Sequence, residues 1–362
     1  MQESRTRGKA TAEAVQAQPA LTIGLDVADS YTQLCGIDAQ GNVVESGRVR
    51  TTTAALQQRF ATIGRTRLVL EAGPHSPWVS RLLAELGHEV IVANPRQVRL
   101  IGQSHRKSES SDAEQLARLG RFDPELLAPI RHRGPEAHAD LATVRSRDAL
   151  VRARTLLINH VRGAVKAWGG SLPSSTAQAF HRRAADQLPT ALEAARAPLV
   201  EVVGELSARI KMADDTIEEL GATRYPETQA LRQVVGVGPL TALSYVLTID
   251  DPRRFAASRD VGPYLGLVPR RRDSGAHTSQ LGISKAGDTH LRRLLVGCAQ
   301  YVLGPFGPDS DLRRWGERHG ALGAKNARKR VIVAVARKLA VLLHALWISG
   351  EPYEPLRQAQ AV

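Results

Sequence analysis

Apolar and polar positions alternate most clearly in the first quarter of the chain. Leu21, Ile23, Leu25 and Val27 share one face of a strand over 21–27, and Thr22, Gly24 and Asp26 share the other. Similar patterns predict strands at 31–38 and 42–50, joined by a turn at Ala39-Gln40-Gly41. A helix over 53–63, a strand over 67–71, a helix over 77–86 and a strand over 88–93 follow. Three meandering strands and then alternating helices and strands predict an α/β sheet of mixed direction. Residues 94–135 read as basic and helical. Beyond about 137 the period lengthens, with Val144, Val151, Ile158 and Val165 recurring every seven residues. A second long helix is expected from Pro198, carrying Leu199, Val202, Leu206, Ile210, Ala213 and Ile217. Such a pair fits a plain helical hairpin and a coiled-coil dimer contact equally well. From about 225 to 350 the pattern is helical with Gly-rich breaks. The apolar run from Val331 to Ile348 holds Arg337 and Lys338 in its middle, which favours a core helix over a transmembrane span. The expected divisions are a disordered tail over 1–19, domains over 20–135, 136–222 and 223–350, and a short tail over 351–362.

Two of these strands carry a carboxylate. Asp26 interrupts the run Leu21 to Val27, and Glu71 ends the run Leu68-Val69-Leu70. A carboxylate in a buried strand is costly unless something positive meets it. The order of elements matches the ribonuclease H fold, in which strands one and four lie side by side and parallel, and that order makes Asp26 and Glu71 neighbours. The small polar face of the first strand leaves room for a ligand there. Glu109 and Asp112, three residues apart, fall on one face of a helix. The plain alternative is acids bonded to nearby arginines, but close carboxylates repel one another unless a cation intervenes. Four oxygen donors suit a hard divalent cation.

Charge narrows the partners. Of 49 basic residues against 36 acidic ones, only eight are Lys, and the net charge is +13. The Arg excess is partly what a genome rich in Arg codons would give, but the net charge points to a polyanion. Cys35 and Cys298 have no metal-ligand spacing and fit a reducing cytosol. No membrane partner is expected.

The C-terminal half holds two further motifs. Leu231 to Ala242 reads as a helix-hairpin-helix in which Gly236 and Gly238 let backbone N–H groups approach a phosphate, or as an ordinary helix–helix turn. Ser274, read as lying on a loop, follows Arg270, Arg271 and Arg272 and precedes Lys285, Arg292 and Arg293. A serine hydroxyl becomes a nucleophile only with a base or metal beside it and positive groups around the attacked phosphate. Taken alone, a Ser-Gly loop beside arginines is an ordinary polar turn. The basic residues between Lys325 and Lys338 suit either nucleic acid or solvent.

The chain as a whole, from about 21 to 350, resembles the insertion-sequence-110 transposases, also called DEDD transposases or bridge-RNA-guided serine recombinases. The resemblance rests on Asp26, the Leu-Glu-Ala-Gly segment at Glu71, Asn94-Pro95 and Lys107-Ser108-Glu109-Ser110-Ser111-Asp112-Ala113 in one half. In the other it rests on Gly236-Val237-Gly238-Pro239, Gly266-Leu267-Val268-Pro269, Ser274-Gly275, Ile283-Ser284-Lys285-Ala286-Gly287 and Leu291-Arg292. It implies a RuvC-like domain of ribonuclease H fold, a helical coiled-coil linker and a mostly helical C-terminal transposase domain. It also implies that Asp26, Glu71, Glu109 and Asp112 bind Mg²⁺ and that Ser274 forms a phosphoserine link to DNA. Lys107, Gly236, Gly238, Arg270, Arg271, Arg272, Lys285, Arg292 and Arg293 are then the expected nucleic-acid contacts. The implied partners are donor and target DNA, a bridge-type noncoding RNA, and further copies of the chain in a dimer or tetramer with a composite site. Glu109 stands where the family usually has Asp. A RuvC-like endonuclease acting by hydrolysis and an inactive nucleic-acid-binding derivative are the alternatives.

Overall fold

The structure, a computed structural model, describes residues 19–101, 109–274, 277–320 and 327–357, with the side chains at 99–111 and 271–280 outside that description. The chain forms two compact units, residues 1–133 and 134–362.

The first unit is a three-layer α/β structure. Its strands are β1 (Thr22–Val27), β2 (Tyr31–Ile37), β3 (Val43–Arg50), β4 (Arg67–Glu71) and β5 (Glu89–Ala93). Its helices are α1 (Thr53–Phe60), α2 (Ser76–Glu85), α3 (Pro95–Ile101) and α4 (Glu109–Phe122). The sheet order is β3-β2-β1-β4-β5, antiparallel from β3 to β1 and parallel from β1 to β5. This is a mixed ribonuclease H-like sheet, as the element order predicted, and each strand lies within about a residue of its expected place. On one face Ile23, Leu25, Leu68 and Leu70 meet Leu56 and Phe60 of α1 and Val79 and Leu83 of α2. On the other, α4 packs Leu116 against Val69 and Ile91, and Ala113 and Ala117 against Cys35 and Ile37.

The second unit is mostly helical: α5 (Pro135–Ala167), α6 (Phe180–Ala184), α7 (Thr190–Thr223), α8 (Glu227–Arg232), α9 (Pro239–Ile249) and α10 (Val261–Tyr264). After these come a hairpin of β6 (Pro269–Ser274) and β7 (His277–Ile283), then α11 (Thr289–Val302), α12 (Asp311–Gly320) and α13 (Ala327–Ser349). Val144, Ile158 and Val165 of the seven-residue stripe of α5 are buried within the chain, and Val151 is partly exposed. Ile158 and Val165 pack with Val200 and Val203 of α7, and Val144 packs with Ile217 and with Leu243 of α9. Arg147 adds a bond to Asp214 at 2.8 Å. Within one chain the two helices form a hairpin, and residues 134–362 cluster as one compact unit.

Two expectations are corrected here. The second long helix starts at Thr190, and Pro198 lies inside it. A proline there leaves the Ala194 carbonyl without its usual donor, but burial of Val200 and Val203 on the same helix outweighs the local loss. The segment expected to be a loop around Ser274 is a β-hairpin. α13 is long and apolar enough to cross a membrane by length and composition, but Val331, Val335, Leu339, Leu343 and Leu346 are buried in the core of this unit.

Candidate active site

Register places the first two acids. Leu25 of β1 pairs with Leu70 of β4, so Asp26 and Glu71 are the next residues on two adjacent parallel strands. The two-residue alternation puts Gly24 and Asp26 on the sheet face that carries Val69 and Glu71. That face is covered by α4 rather than left open for a ligand along its length. A Cβ at Gly24 would lie 1.9 Å from the Ala113 carbonyl oxygen and 2.6 Å from the Ala117 nitrogen. Glycine at 24 therefore lets the helix backbone rest directly on the strand. A Cβ at Gly120 would come within 2.4 Å of Val69, so the helix touches β4 as closely.

The direction of α4 is set by arginines. Buried Arg67, at the start of β4, donates to the Gly120 carbonyl at 3.0 Å and to Glu89 at 2.9 Å. Arg121 donates to the carbonyl of Pro19, just before β1. The last turn of α4 thus lies at the beginning of the parallel strands, and its first turn, with Glu109 and Asp112, lies toward their carboxyl ends. The fold brings the backbones of all four acidic positions to one edge of one face. Acids in the first turn of a helix are also favoured by its dipole. Asp112 is exposed, and the Glu109 side chain lies outside the described residues, as does Lys107. Among the described residues no three His, Cys, Asp or Glu side chains close in on a single metal-sized point. The four expected donors are all carboxylates, whose oxygens suit a hard divalent cation.

Sequence reasoning missed Asp29, which closes a short polar chain at this same edge. Trp78 donates its indole N–H to His75 Nδ1 at 3.1 Å, and His75 Nε2 meets Asp29 at 2.8 Å. Because Nδ1 accepts, Nε2 carries the proton and donates to Asp29. Asp29 follows β1 and His75 follows β4, so the connection extends beyond Asp26 and Glu71. Asp29, three residues past an already suspicious acid, was the available signal.

In the second unit, Ser274 ends β6 and pairs with His277. Its side chain, with those of Arg271 and Arg272, lies outside the described residues, while Arg270 is exposed. The foot of the hairpin is held by two loops lying back to back. Ser284 N–H donates to the Val268 carbonyl at 2.8 Å, and Lys285 N–H to the Gly266 carbonyl at 3.1 Å. Gly266 and Gly287 both have φ of +67°. A Cβ at the first would fall 2.2 Å from Ala286 N, and at the second 2.1 Å from the Tyr264 carbonyl oxygen. Only glycine meets both demands.

Arg292 was expected to contact nucleic acid, and the structure corrects this. It is buried and donates to the carbonyls of Leu265 at 3.0 Å and Ala286 at 2.7 Å and to Thr289 Oγ1 at 3.1 Å. Its guanidinium ties the two loops together. Arg293 is half-exposed, paired with Asp148, and donates to His290 Nδ1 at 2.9 Å. Burial, and then the Arg145 charge, push the His290 pKa down, which fits an imidazole that accepts from a guanidinium. Lys285 is exposed and adopts φ of +54°, an uncommon backbone for a lysine. At the helix-hairpin-helix, Gly236 has φ of +86° and packs on α11, where a Cβ would lie 3.3 Å from the Cys298 carbonyl. Gly238 is exposed at the start of α9 with open space around it. Cys35 and Cys298 are free, buried and pushed up in pKa by that burial, as befits unreactive thiols.

A ribonuclease H-like sheet with acids gathered at the carboxyl edge of adjacent parallel strands, followed by a basic helical unit, is the architecture of enzymes that cut and join nucleic-acid strands. Comparison with known proteins makes the class specific. Residues 23–168 match the DEDD transposase domain of the IS110 type, and residues 228–311 match the IS116/IS110/IS902 transposase family. A probable family 20 transposase of Pseudomonas aeruginosa is 32% identical over 348 residues, covering 92% of this chain and 98% of that protein. The transposase for insertion sequence element IS1111A of Coxiella burnetii is 30% identical, covering 91% of this chain and 90% of its own. A pilin gene-inverting protein of Moraxella bovis is 27% identical over 125 residues, 34% of this chain and 38% of that protein. The chain belongs to the IS110/IS116/IS902 family of transposases, with a DEDD domain that implies metal-dependent catalysis and with DNA as its substrate.

Proposed function

We propose that this transposase excises and inserts its element through a covalent phosphoserine intermediate at Ser274, and that an RNA from the element selects the DNA. Asp26, Glu71, Glu109 and Asp112 would hold Mg²⁺, which when bound polarises a phosphodiester and eases loss of the attacking proton. Ser274 Oγ attacks phosphorus, the bond from phosphorus to the leaving sugar oxygen breaks, and that oxygen takes up a proton. A free sugar hydroxyl of another strand then attacks the same phosphorus, the Oγ–P bond breaks and the serine hydroxyl is restored. The phosphodiester energy is kept, so joining needs no external source. Arg270, Arg271, Arg272, Lys285 and Arg293 supply positive charge for the strand, and Gly238 a bare helix N-terminus.

The observation that carries this reading is the match of both halves to one family, with Ser274 inside the second matched segment. The partial likeness to a protein named for inverting a gene adds support, because inversion requires rejoining as well as cutting. Guidance by base pairing suits a protein whose net charge of +13 favours backbone contacts over sequence reading. The reading includes a homo-oligomer, dimer or tetramer, acting in the bacterial cytoplasm.

The test is Ser274→Ala, assayed on DNA carrying the element's ends. Loss of the protein–DNA adduct and of recombination is expected, whereas cleavage that survives unchanged indicates hydrolysis and sinks the proposal. Glu109→Asp shortens one ligand by a methylene, and donor excision rising with it would show that the site at this edge works as a metal cage. Recombination unaffected by ribonuclease during assembly would remove the RNA from the scheme.

A further inference from the structure

We infer that the cavity between the foot of the β6–β7 hairpin, α12 and α13 receives one unstacked nucleotide of a nucleic-acid strand. This rests on the reading that the strand cut at Ser274 passes along the hairpin. The cavity measures about 770 Å³ and opens to solvent, within the roughly 300–1,000 Å³ range of sites for small organic groups. Leu267, Ile283, Val333 and Trp315 give it an apolar wall. Around that wall stand Lys329, Arg330, Arg337 and Lys338, all exposed, and among the described residues no carboxylate lines the space.

Helical spacing builds this arrangement from one element. Arg330, Val333, Ala334, Arg337, Lys338 and Val341 recur at three- and four-residue steps and form one face of α13. The opposite face, with Val335, Leu339 and Leu343, fills the core. α13 therefore has a second apolar stripe, and this one is interleaved with cations. Lys338 Nζ lies 5.0 Å from the Trp315 ring centre, and the His319 ring lies 4.0 Å from it, so the indole is held in place. None of the four cations has an acidic partner among the described residues.

An apolar segment of another protein would bury these four charges without compensation, a heavy desolvation cost. A nucleotide matches both features, its flat base against the apolar wall and its phosphate among the cations. Paired bases are stacked inside a duplex and cannot enter, so the occupant comes from an unpaired stretch. Pro269 lines the cavity and Ser274 is five residues further along β6, roughly 17 Å at the rise of a strand. A nucleotide seated here fixes the strand's register a few nucleotides from the attacked phosphate.

The test uses the full chain and short oligonucleotides carrying one 2-aminopurine, as single-stranded DNA, single-stranded RNA and paired duplex. Single strands should bind about tenfold more tightly than duplex, with a change in 2-aminopurine emission as the base leaves its neighbours. The DNA and RNA arms tell which polymer supplies the nucleotide. The pair Lys329→Ala and Arg330→Ala should weaken binding about tenfold and flatten its salt dependence. Ala334→Trp fills the cavity and should abolish the emission change with the thermal transition intact. In the unaltered protein, a 5-iodouracil strand should photocrosslink within α12 or α13, which keeps the test sharp if Ala334→Trp fails to fold. Crosslinks confined elsewhere, or an abasic strand competing as well as a natural one, overturn the inference. Running every arm in the Ser274→Ala background separates nucleotide capture from serine chemistry.

Discussion

Asp26 and Glu71 stand at the ends of two hydrogen-bonded parallel strands backed by helices on both faces, whereas Ser274 stands at the end of a two-stranded hairpin whose support lies at its foot. The acidic edge inherits its geometry from a core, with strand register, a glycine seat and Arg67 all fixing α4. The hairpin that ends at the serine is held at its foot by a clamp between Gly266, Ala286 and Arg292. A metal cage needs several oxygens held together, while a nucleophile that must reach a phosphate in a bulky nucleic acid benefits from projection. In the first region damage to the seat should cost folding as well as activity. In the second, damage to the clamp should cost positioning first.

The largest effect is expected at Gly24. Gly24→Ala drives a methyl into the Ala113 carbonyl and should cost about 3 kcal/mol or more, read as a lower urea midpoint together with loss of DNA cleavage. A variant with normal stability would show that α4 does not rest on β1. Next comes Arg292→Met, which leaves the Leu265 and Ala286 carbonyls short of a donor. About 2 kcal/mol is expected in denaturant unfolding, with serine–DNA adduct formation falling further than stability accounts for. Equal losses in the two readouts would make the clamp merely structural. The smallest effect concerns pH. His290 has a pKa held below the ordinary imidazole value of about 6.5 by burial and by Arg145 and Arg293, against the pull of Asp148 and Asp288. The unfolded chain takes up that proton near pH 6.5 while the native state resists it. Stability is therefore complete above about pH 6.5 and declines as pH falls below it, and His290→Gln should remove this part of the slope.

Much of the sheet was legible because β1 alternates, β4 and β5 are short apolar runs, and each turn carries its own signal. The neighbourhood of Asp26 and Glu71 followed from element order alone. What α4 does to that face was not legible, since Thr22, Gly24 and Asp26 look like an open polar surface until a helix is laid across them. The hairpin was missed because Pro269 to Ser274 and His277 to Gln280 hold almost no apolar residue to set a period, so their strand character comes from the ladder between them. Arg292 was misassigned because a Leu-Arg-Arg stretch reads as a basic patch, and nothing in it distinguishes the buried guanidinium from the half-exposed one. Pro198 misled for a related reason, since a local helix breaker was overruled by packing that the local sequence does not display.

The matched ends of β1 and β4 have a consequence for how such a gene can decay. Loops such as 28–30 and 61–66 can lengthen or shorten with little effect on the face each strand presents. One extra codon between Thr22 and Leu25 would instead rotate Asp26 to the side where Leu56 and Phe60 sit, stranding a charge in oil and emptying its place at the edge. A single three-base insertion could silence the enzyme while every acidic codon survives, and a census of those codons would still count it as intact.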